Sequence, residues 1–327
     1  MFNLGGPASL DTVRPFLKNM FMDRAILGGP LLLRYFLAEL ISRRRTPVAQ
    51  EIYQEIGGRS PINEETGAQL TALQSLLNKK GAYKVFYFQR YWHPMAEEVL
   101  PEVMKYNPDE VILLPLYPQY STTTTASSVG KWREQARINN LNKRLKIVCC
   151  YPTNPGFISA VSKLTREKYD EAVKLGKPRV LFSAHGIPQN RVTKGDPYQM
   201  HIEATVRAVV KKLAISDLDY KICYQSRVGP LKWLEPSTEF EISKAAAEKT
   251  PIVIVPIAFV SEHSETLVEL DIKYKKLYTM HGGPGYFRVS TVRTHEDYIA
   301  GLAELVVNYK EKNCSYNSKT CLIANFK

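Results

Sequence analysis

The run RVLFSAHGIP (179–188) delivers a single histidine to the end of an apolar stretch. Val180, Leu181 and Phe182 read as a buried strand, and Gly186 marks the point where the chain must turn. Because an imidazole has an ordinary pKa of about 6.5, a neutral His185 can take up a proton at physiological pH. His185 is therefore a candidate base in a cleft. Further on lies SEHSETLVELDIKY (261–274). At about 100° per residue, Glu262, Glu265 and Glu269 fall within about 60° of one another on a helix. His263, Leu267, Leu270 and Tyr274 share a second face. Ser261 reads as the N-cap, and acids in a first turn suit the helix dipole. Three carboxylates at a cleft mouth would suit a hard or borderline divalent cation. An exposed acidic face would give the same pattern.

The elements that must position these groups alternate. Strand-length apolar runs occur at 84–89, 110–117, 145–151, 179–184, 221–226 and 251–259, with helix-like stretches such as 97–106 and 202–214 between them. This alternation predicts an α/β fold of βαβ units, with parallel sheets covered on both faces. A length of 327 residues predicts two domains. The Pro/Gly/Asn-rich link YPTNPG places the boundary, giving 1–153 and 154–310 with a tail over 311–327. Several strand ends are loaded: with Arg90-Tyr91-Trp92-His93, with His185-Gly186, with Arg227-Val228-Gly229, and with Ser261 to Glu265. Ligands of open α/β sheets bind beyond the carboxyl ends of strands. Trp233, in GPLKWLEP, is either a core aromatic or the wall of a site for a flat ligand.

The net charge of +12 invites an acidic partner such as a carboxylate-bearing substrate, anionic lipid or nucleic acid, or it is a solvated basic surface. The basic residues are dispersed, which argues against nucleic acid. Of five cysteines, Cys149 and Cys150 are adjacent in the apolar run KIVCCYP, so buried reduced thiols fit better than a disulfide framework. The segment 16–41 is apolar but interrupted by charges and by Gly28-Gly29-Pro30; it predicts two short amphipathic pieces rather than a span. Arg43-Arg44-Arg45 before Thr46-Pro47 predicts a helix end. The glycine stretches NLGGP and IGGRSPI lack phosphate-loop spacing, and Cys-x-x-Cys, His-Glu-x-x-His and Gly-x-Ser-x-Gly are absent from the sequence.

The motifs FNLGGP, RRRTP, YQEIGGRSPI, QRYWHP, YPQYS, FSAHGIP, YQSRVGPLKWLEP and IAFVSEHSETLVELD together resemble the ferrochelatase family, from Phe2 to about Tyr309. The resemblance implies two Rossmann-like domains, each a parallel β-sheet flanked by helices, with a porphyrin cleft between them. It implies insertion of Fe²⁺ into protoporphyrin IX as the last step of haem synthesis. It assigns proton acceptance to His185 and places Glu265 opposite, across the ring, as metal ligand or proton acceptor. Glu262 and Glu269 then complete a metal conduit with His185 and Glu265. Leu4, Arg45, Tyr53 and Ser60 match positions that hold the porphyrin and its propionates, and Arg90, Tyr91 and Trp233 match cleft-lining positions. The 16–41 segment resembles a lip that rests on a membrane, whereas its pattern alone favours two ordinary core-facing helices. The expected location is cytoplasmic, peripheral to a bacterial inner membrane, or the matrix side of a mitochondrion; no targeting peptide is visible. A homodimer is left open.

Three features depart from the resemblance. The chain begins inside the expected first strand, which predicts a shortened strand or a truncated start. No cysteine lies in YPQYSTTTT and only Cys314 and Cys321 lie in the tail, so no iron–sulfur cluster is expected and Fe²⁺ enters as substrate, with no cofactor required. Asn154 stands where some relatives carry a histidine. The competing readings are a coproporphyrin III ferrochelatase, and a non-catalytic porphyrin or metal carrier that would need neither His185 nor the acidic row.

Overall fold

The computed structural model describes residues 1–309. They form two compact units, the first comprising Met1–Tyr151 and the chain from Leu302 onward, the second Pro152–Gly301. The break at Tyr151/Pro152 falls within YPTNPG. Where the sequence keeps 154–310 in one piece, the chain rejoins the first unit at Leu302. The physical tie is Tyr309: the Ile147 N–H donates to its hydroxyl at 3.3 Å, and Lys146 Nζ lies 5.5 Å from its ring centre.

The first unit runs β1 (Phe2–Asn3), α1 (Val13–Phe21), α2 (Leu31–Gln54), α3 (Ile62–Leu77), β2 (Phe88–Gln89), α4 (Ala96–Tyr106), β3 (Glu110–Leu113), α5 (Thr125–Ile138) and β4 (Arg144–Ile147). β1 pairs with β2 and β3 with β4, both parallel, and Phe2 also bridges to Pro115 just beyond β3. The strands are shorter than the apolar runs that predict them. In LPLYP the prolines at 115 and 118 lack the N–H a ladder needs, so β3 stops at Leu113. Phe2, Phe88, Leu100, Leu113 and Trp132 fill the core between sheet and helices.

The apolar 16–41 segment behaves in two ways. α1 turns Val13, Phe16, Leu17 and Phe21 into a core with Ala38, Tyr53, Tyr91 and Trp92. The start of α2 instead presents Leu32 and Phe36 at 75% and 68% exposure, with Leu31, Leu33 and Leu40 also exposed. The expected helix end at Thr46-Pro47 is not found: α2 continues to Gln54. Pro47 cannot donate to the Arg43 carbonyl four residues back, and the helix continues past that lost bond; the Thr46 hydroxyl donates separately to the Ser42 carbonyl at 2.7 Å. Among the described residues no helix is long and apolar enough to cross a membrane.

The second unit runs α6 (Pro155–Ala172), β5 (Arg179–His185), α7 (Gln189–Thr193), α8 (Tyr198–Leu213), β6 (Tyr220–Gln225), α9 (Thr238–Ala247), β7 (Ile252–Pro256), a π-helix (Glu265–Tyr274), α10 (Lys275–Met280) and β8 (Tyr286–Arg288); α11 (Glu296–Val307) carries the chain onward. The strands are parallel in the order β6-β5-β7-β8, so the unbroken apolar run of β5 is central and Val180, Leu181, Phe182 and Ala184 are buried. β8 carried no distinct sequence signal, being three residues long. Asn154 caps α6: its side chain accepts from the Phe157 N–H at 3.0 Å, which gives this residue a structural role.

Replacing Asn154 with alanine should lower the unfolding free energy by about 1 kcal/mol, the usual worth of such a cap. Urea denaturation checks this; an unchanged midpoint would show that the cap contributes nothing.

Candidate functional site

His185 is the last residue of β5 and pairs in register with Gln225, the last residue of β6. The sharp exit after it depends on Gly186, whose N–H donates to the Gln225 carbonyl at 2.9 Å. A Cβ on Gly186 would meet that carbonyl oxygen at 3.0 Å and the Trp233 ring at 3.2 Å. Trp233 is itself buried, 9% exposed, its Nε1–H donating to the Val228 carbonyl and its ring centre 6.4 Å from that of His185 in an edge-on arrangement. It is thus a packed wall beside the histidine.

Glu265 opens the π-helix. Its Oε2 lies 2.9 Å from His185 Nδ1. This corrects the expectation that the two face each other across a ring: they are a hydrogen-bonded pair, with side chains 37% and 32% exposed. Burial disfavours charge on both groups, yet their mutual attraction outweighs it. The His185 pKa is raised, with Glu269 adding to the pull of Glu265. The Glu265 carboxyl is held down at about 2 by His185, with His263 contributing. With Nδ1 directed at the carboxylate, Nε2 becomes the basic nitrogen.

The expected α-helical stripe is also corrected. The helix begins after Ser264, not at Ser261, and it is a π-helix, a form found often at functional sites. Its entry is fixed reciprocally: the His263 N–H donates to the Thr266 hydroxyl, and that hydroxyl donates to the His263 carbonyl, both at 3.0 Å. His263 Nδ1 accepts from the Glu265 N–H at 3.1 Å, which fixes its tautomer. Burial lowers the His263 pKa despite the nearby Glu265 and Glu262, the opposite direction to His185.

The three carboxylates have separate partners. Glu269 Oε1 accepts from the Ser226 N–H at 3.0 Å and the Tyr274 hydroxyl at 2.8 Å; Oε2 accepts from Gln225 Nε2 at 2.9 Å and from the Ser226 hydroxyl. A carboxylate offers about four acceptor sites, and these donors fill them. Glu262 accepts from Arg288 Nη1 at 2.7 Å and from the Thr291 N–H at 2.9 Å. Arg288 also grips Asp271 with two bonds of 2.7 Å. His185, Glu265, Glu262 and Glu269 therefore do not make one ligand set. Among the described residues no group of three or more His, Cys, Asp or Glu is placed to hold a metal ion. Gln225, Ser226, Tyr274 and Arg288 were not identified as site residues from sequence. Gln225-Ser226 carried a usable signal as the end of an apolar strand; Arg288 carried none.

The remaining candidates lie in the first unit. Tyr53, Ser60 and Tyr91 are buried, Leu4 is half-buried, and Arg45 is exposed on α2. Tyr91 donates its hydroxyl to Asp23 at 2.7 Å, and Arg90 bridges the same carboxylate at 2.9 Å and the Ser127 hydroxyl at 2.8 Å. Arg90 is thereby already neutralised by Asp23, which the sequence did not single out. Cys314 and Cys321 lie outside the described residues, as does the tail over 311–327.

The second unit is thus a parallel α/β sheet with an imidazole–carboxylate pair at the carboxyl end of its central strand. SirB from Bacillus subtilis, solved with Fe³⁺, has the same fold: TM-score 0.53, 14% identity, covering 74% of this chain and 87% of that one. A sirohydrochlorin chelatase SirB from Bacillus subtilis subspecies spizizenii, in complex with cobalt, gives a TM-score of 0.50 at 11% identity. The ferrochelatase family model matches residues 1–310. A ferrochelatase of Wolbachia (strain wRi) is 52% identical over 310 residues, covering 94% of this chain and 98% of the relative. That of Pelagibacter ubique is 47% identical, covering 100% and 96%. The chain belongs to the ferrochelatase family.

Two outcomes follow from this geometry. Glu265→Gln removes the charge that raises the His185 pKa, so NMR titration of that imidazole should find a lower pKa than in the wild type; an unchanged value would mean the pair is not coupled. Arg288→Met leaves Glu262 and Asp271 without their cation and should cost about 3–5 kcal/mol at neutral pH. Because the Glu262 pKa is lowered in the folded state, despite its burial, by Arg288, that loss should shrink as pH falls through its titration. Equal urea stability of the two proteins at neutral pH would refute it.

Proposed function

We propose that this chain is a ferrochelatase that inserts Fe²⁺ into protoporphyrin IX, yielding protohaem and two protons as the last step of haem synthesis. Family membership supports the reaction class. The observation that carries the residue assignment is the His185–Glu265 pair at the end of β5. The two pyrrole N–H protons must leave before a metal can enter the ring. In its neutral form His185 accepts one at Nε2, and Glu265 stabilises the imidazolium that results. Both side chains are partly exposed, so the proton can pass on to solvent and the base can act again. Glu265 and Trp233 orient the imidazole, while Glu269, saturated by its donors, holds the π-helix against β6. Fe²⁺ is a substrate, and no resident cofactor enters the scheme.

Leu4, Arg45, Tyr53 and Ser60 are assigned to the porphyrin and its two carboxylates, Arg45 being the exposed cation among them. Arg90 and Tyr91, tied to Asp23, shape that wall from within. The exposed apolar start of α2 fits a peripheral contact with a membrane, on the cytoplasmic side in a bacterium, from which a poorly soluble substrate is taken. That surface favours protoporphyrin over the more soluble tetracarboxylate coproporphyrin III.

The test is anaerobic metallation, read as loss of free-base porphyrin fluorescence, with both porphyrins in competition at equal iron. Wild-type protein should consume protoporphyrin preferentially. His185→Ala should still bind it but lose turnover at least about 100-fold, the usual worth of a positioned base. Binding without turnover by the wild type would make the chain a carrier. Preference for coproporphyrin would overturn the argument from α2, and substantial turnover by His185→Ala would assign the base elsewhere.

A further inference from the structure

Cys149 and Cys150 take no part in the scheme above. They follow β4 directly, and the backbone is fixed on both sides of them: the Val148 N–H donates to the Leu113 carbonyl at 2.9 Å and the Tyr151 N–H to the Pro118 carbonyl at 2.8 Å. Both residues are buried in a small cluster with Tyr120 and partly buried Ala126. Their sulfurs are 3.4 Å apart. Geometry and charge choose among the possible fates of a neighbouring dithiol at this spacing.

A disulfide requires the sulfurs to close to about 2.0 Å and its Cα atoms to stand about 4.4–6.8 Å apart. Adjacent residues are fixed at about 3.8 Å across a trans peptide, so closure works against the backbone. A divalent cation at about 2.3 Å from each sulfur would see an angle of about 95° between them, which is acceptable. It would, however, need two thiolates in an apolar cluster and further ligands to complete its shell. No third His, Cys, Asp or Glu is placed to supply one among the described residues. Burying such incompletely ligated charge is unfavourable. A linear two-coordinate soft ion is excluded by the angle itself.

We propose that Cys149 and Cys150 form a chelating site for a trivalent arsenical. Such a centre is pyramidal, forms bonds that lie near right angles, and accepts two sulfurs with little movement. The condensation balances: R–As=O plus two thiols gives R–As(S–)₂ plus one water, both thiol protons leaving in that water and the arsenic remaining trivalent. The adduct is neutral, which suits the burial of the pair. The site belongs to the first unit and is independent of the His185–Glu265 pair, so it stands whether or not the proposed reaction is correct.

The experiment uses the full chain carrying Cys314→Ser and Cys321→Ser, which leaves Cys149, Cys150 and Cys223. Phenylarsine oxide at equimolar concentration should give one adduct by intact-mass spectrometry, equal to the reagent less one water and removed by a competing small dithiol. Peptide mapping after alkylation should show Cys149 and Cys150 protected. Cys149→Ala or Cys150→Ala on that background should each lose the adduct; if either variant fails to fold, mapping of the parent still decides. No adduct on the folded parent, protection of Cys223 instead, or an adduct persisting in both single variants would overturn the proposal. A pair that resists both arsenical and alkylating agent would show sealed thiols and overturn it equally.

Discussion

The contact between His185 Nδ1 and Glu265 Oε2 is the constraint around which the second unit is arranged. Burial disfavours charge on each group, but each favours charge on the other, so the His185 pKa is raised and that of Glu265 is lowered. The pair can exist only if two elements meet. One is a central strand that ends in an abrupt turn, which Gly186 permits. The other is a π-helix whose first residue points back at that strand end. The register of β5 with β6 brings Gln225 alongside, and Gln225 reaches the Glu265 carbonyl and the Glu269 carboxylate at 2.9 Å each. A base of raised pKa is thereby held by hydrogen bonds that run into the sheet itself.

The acidic residues on the same segment divide the labour. Glu269 is satisfied by donors from β6 and from Tyr274, and Glu262 Oε1 accepts from Arg288 and from the Thr291 N–H. Arg288 reaches from β8 to both Glu262 and Asp271, which ties the last strand of the sheet to the π-helix and to the residues just before it. Glu265 differs from Glu269 and Glu262 in pairing with an imidazole. The imidazole therefore pairs with one carboxylate of the three, while its neighbours keep the helix in place.

Much of this was legible in the chain. The apolar run 179–184 predicted β5, the glycine after His185 predicted the turn, and the alternation of runs predicted parallel sheets; all three are present. The motifs quoted around Ser60, His185, Trp233 and Glu265 resembled ferrochelatase, and the chain belongs to that family. Strand ends were less legible, because proline withdraws a ladder donor without interrupting an apolar run. The continuation of α2 through Pro47 was illegible for the opposite reason: the helix runs on despite the one backbone bond that proline removes.

What the sequence by itself determined was the identity and order of the reactive groups, since periodicity, apolar runs and turn residues are properties of neighbours along the chain. Which groups touch was decided by the tertiary structure. An angular projection at α-helical pitch put three glutamates in one row, but the helix is of another pitch and each carboxylate takes the donor that sheet register brings to it. Likewise Asp23, with no local signature, is singled out only because folding sets Arg90 and Tyr91 against it. Charge pairing depends on distances through space, and residues 68 positions apart acquire such a distance only when the core has closed.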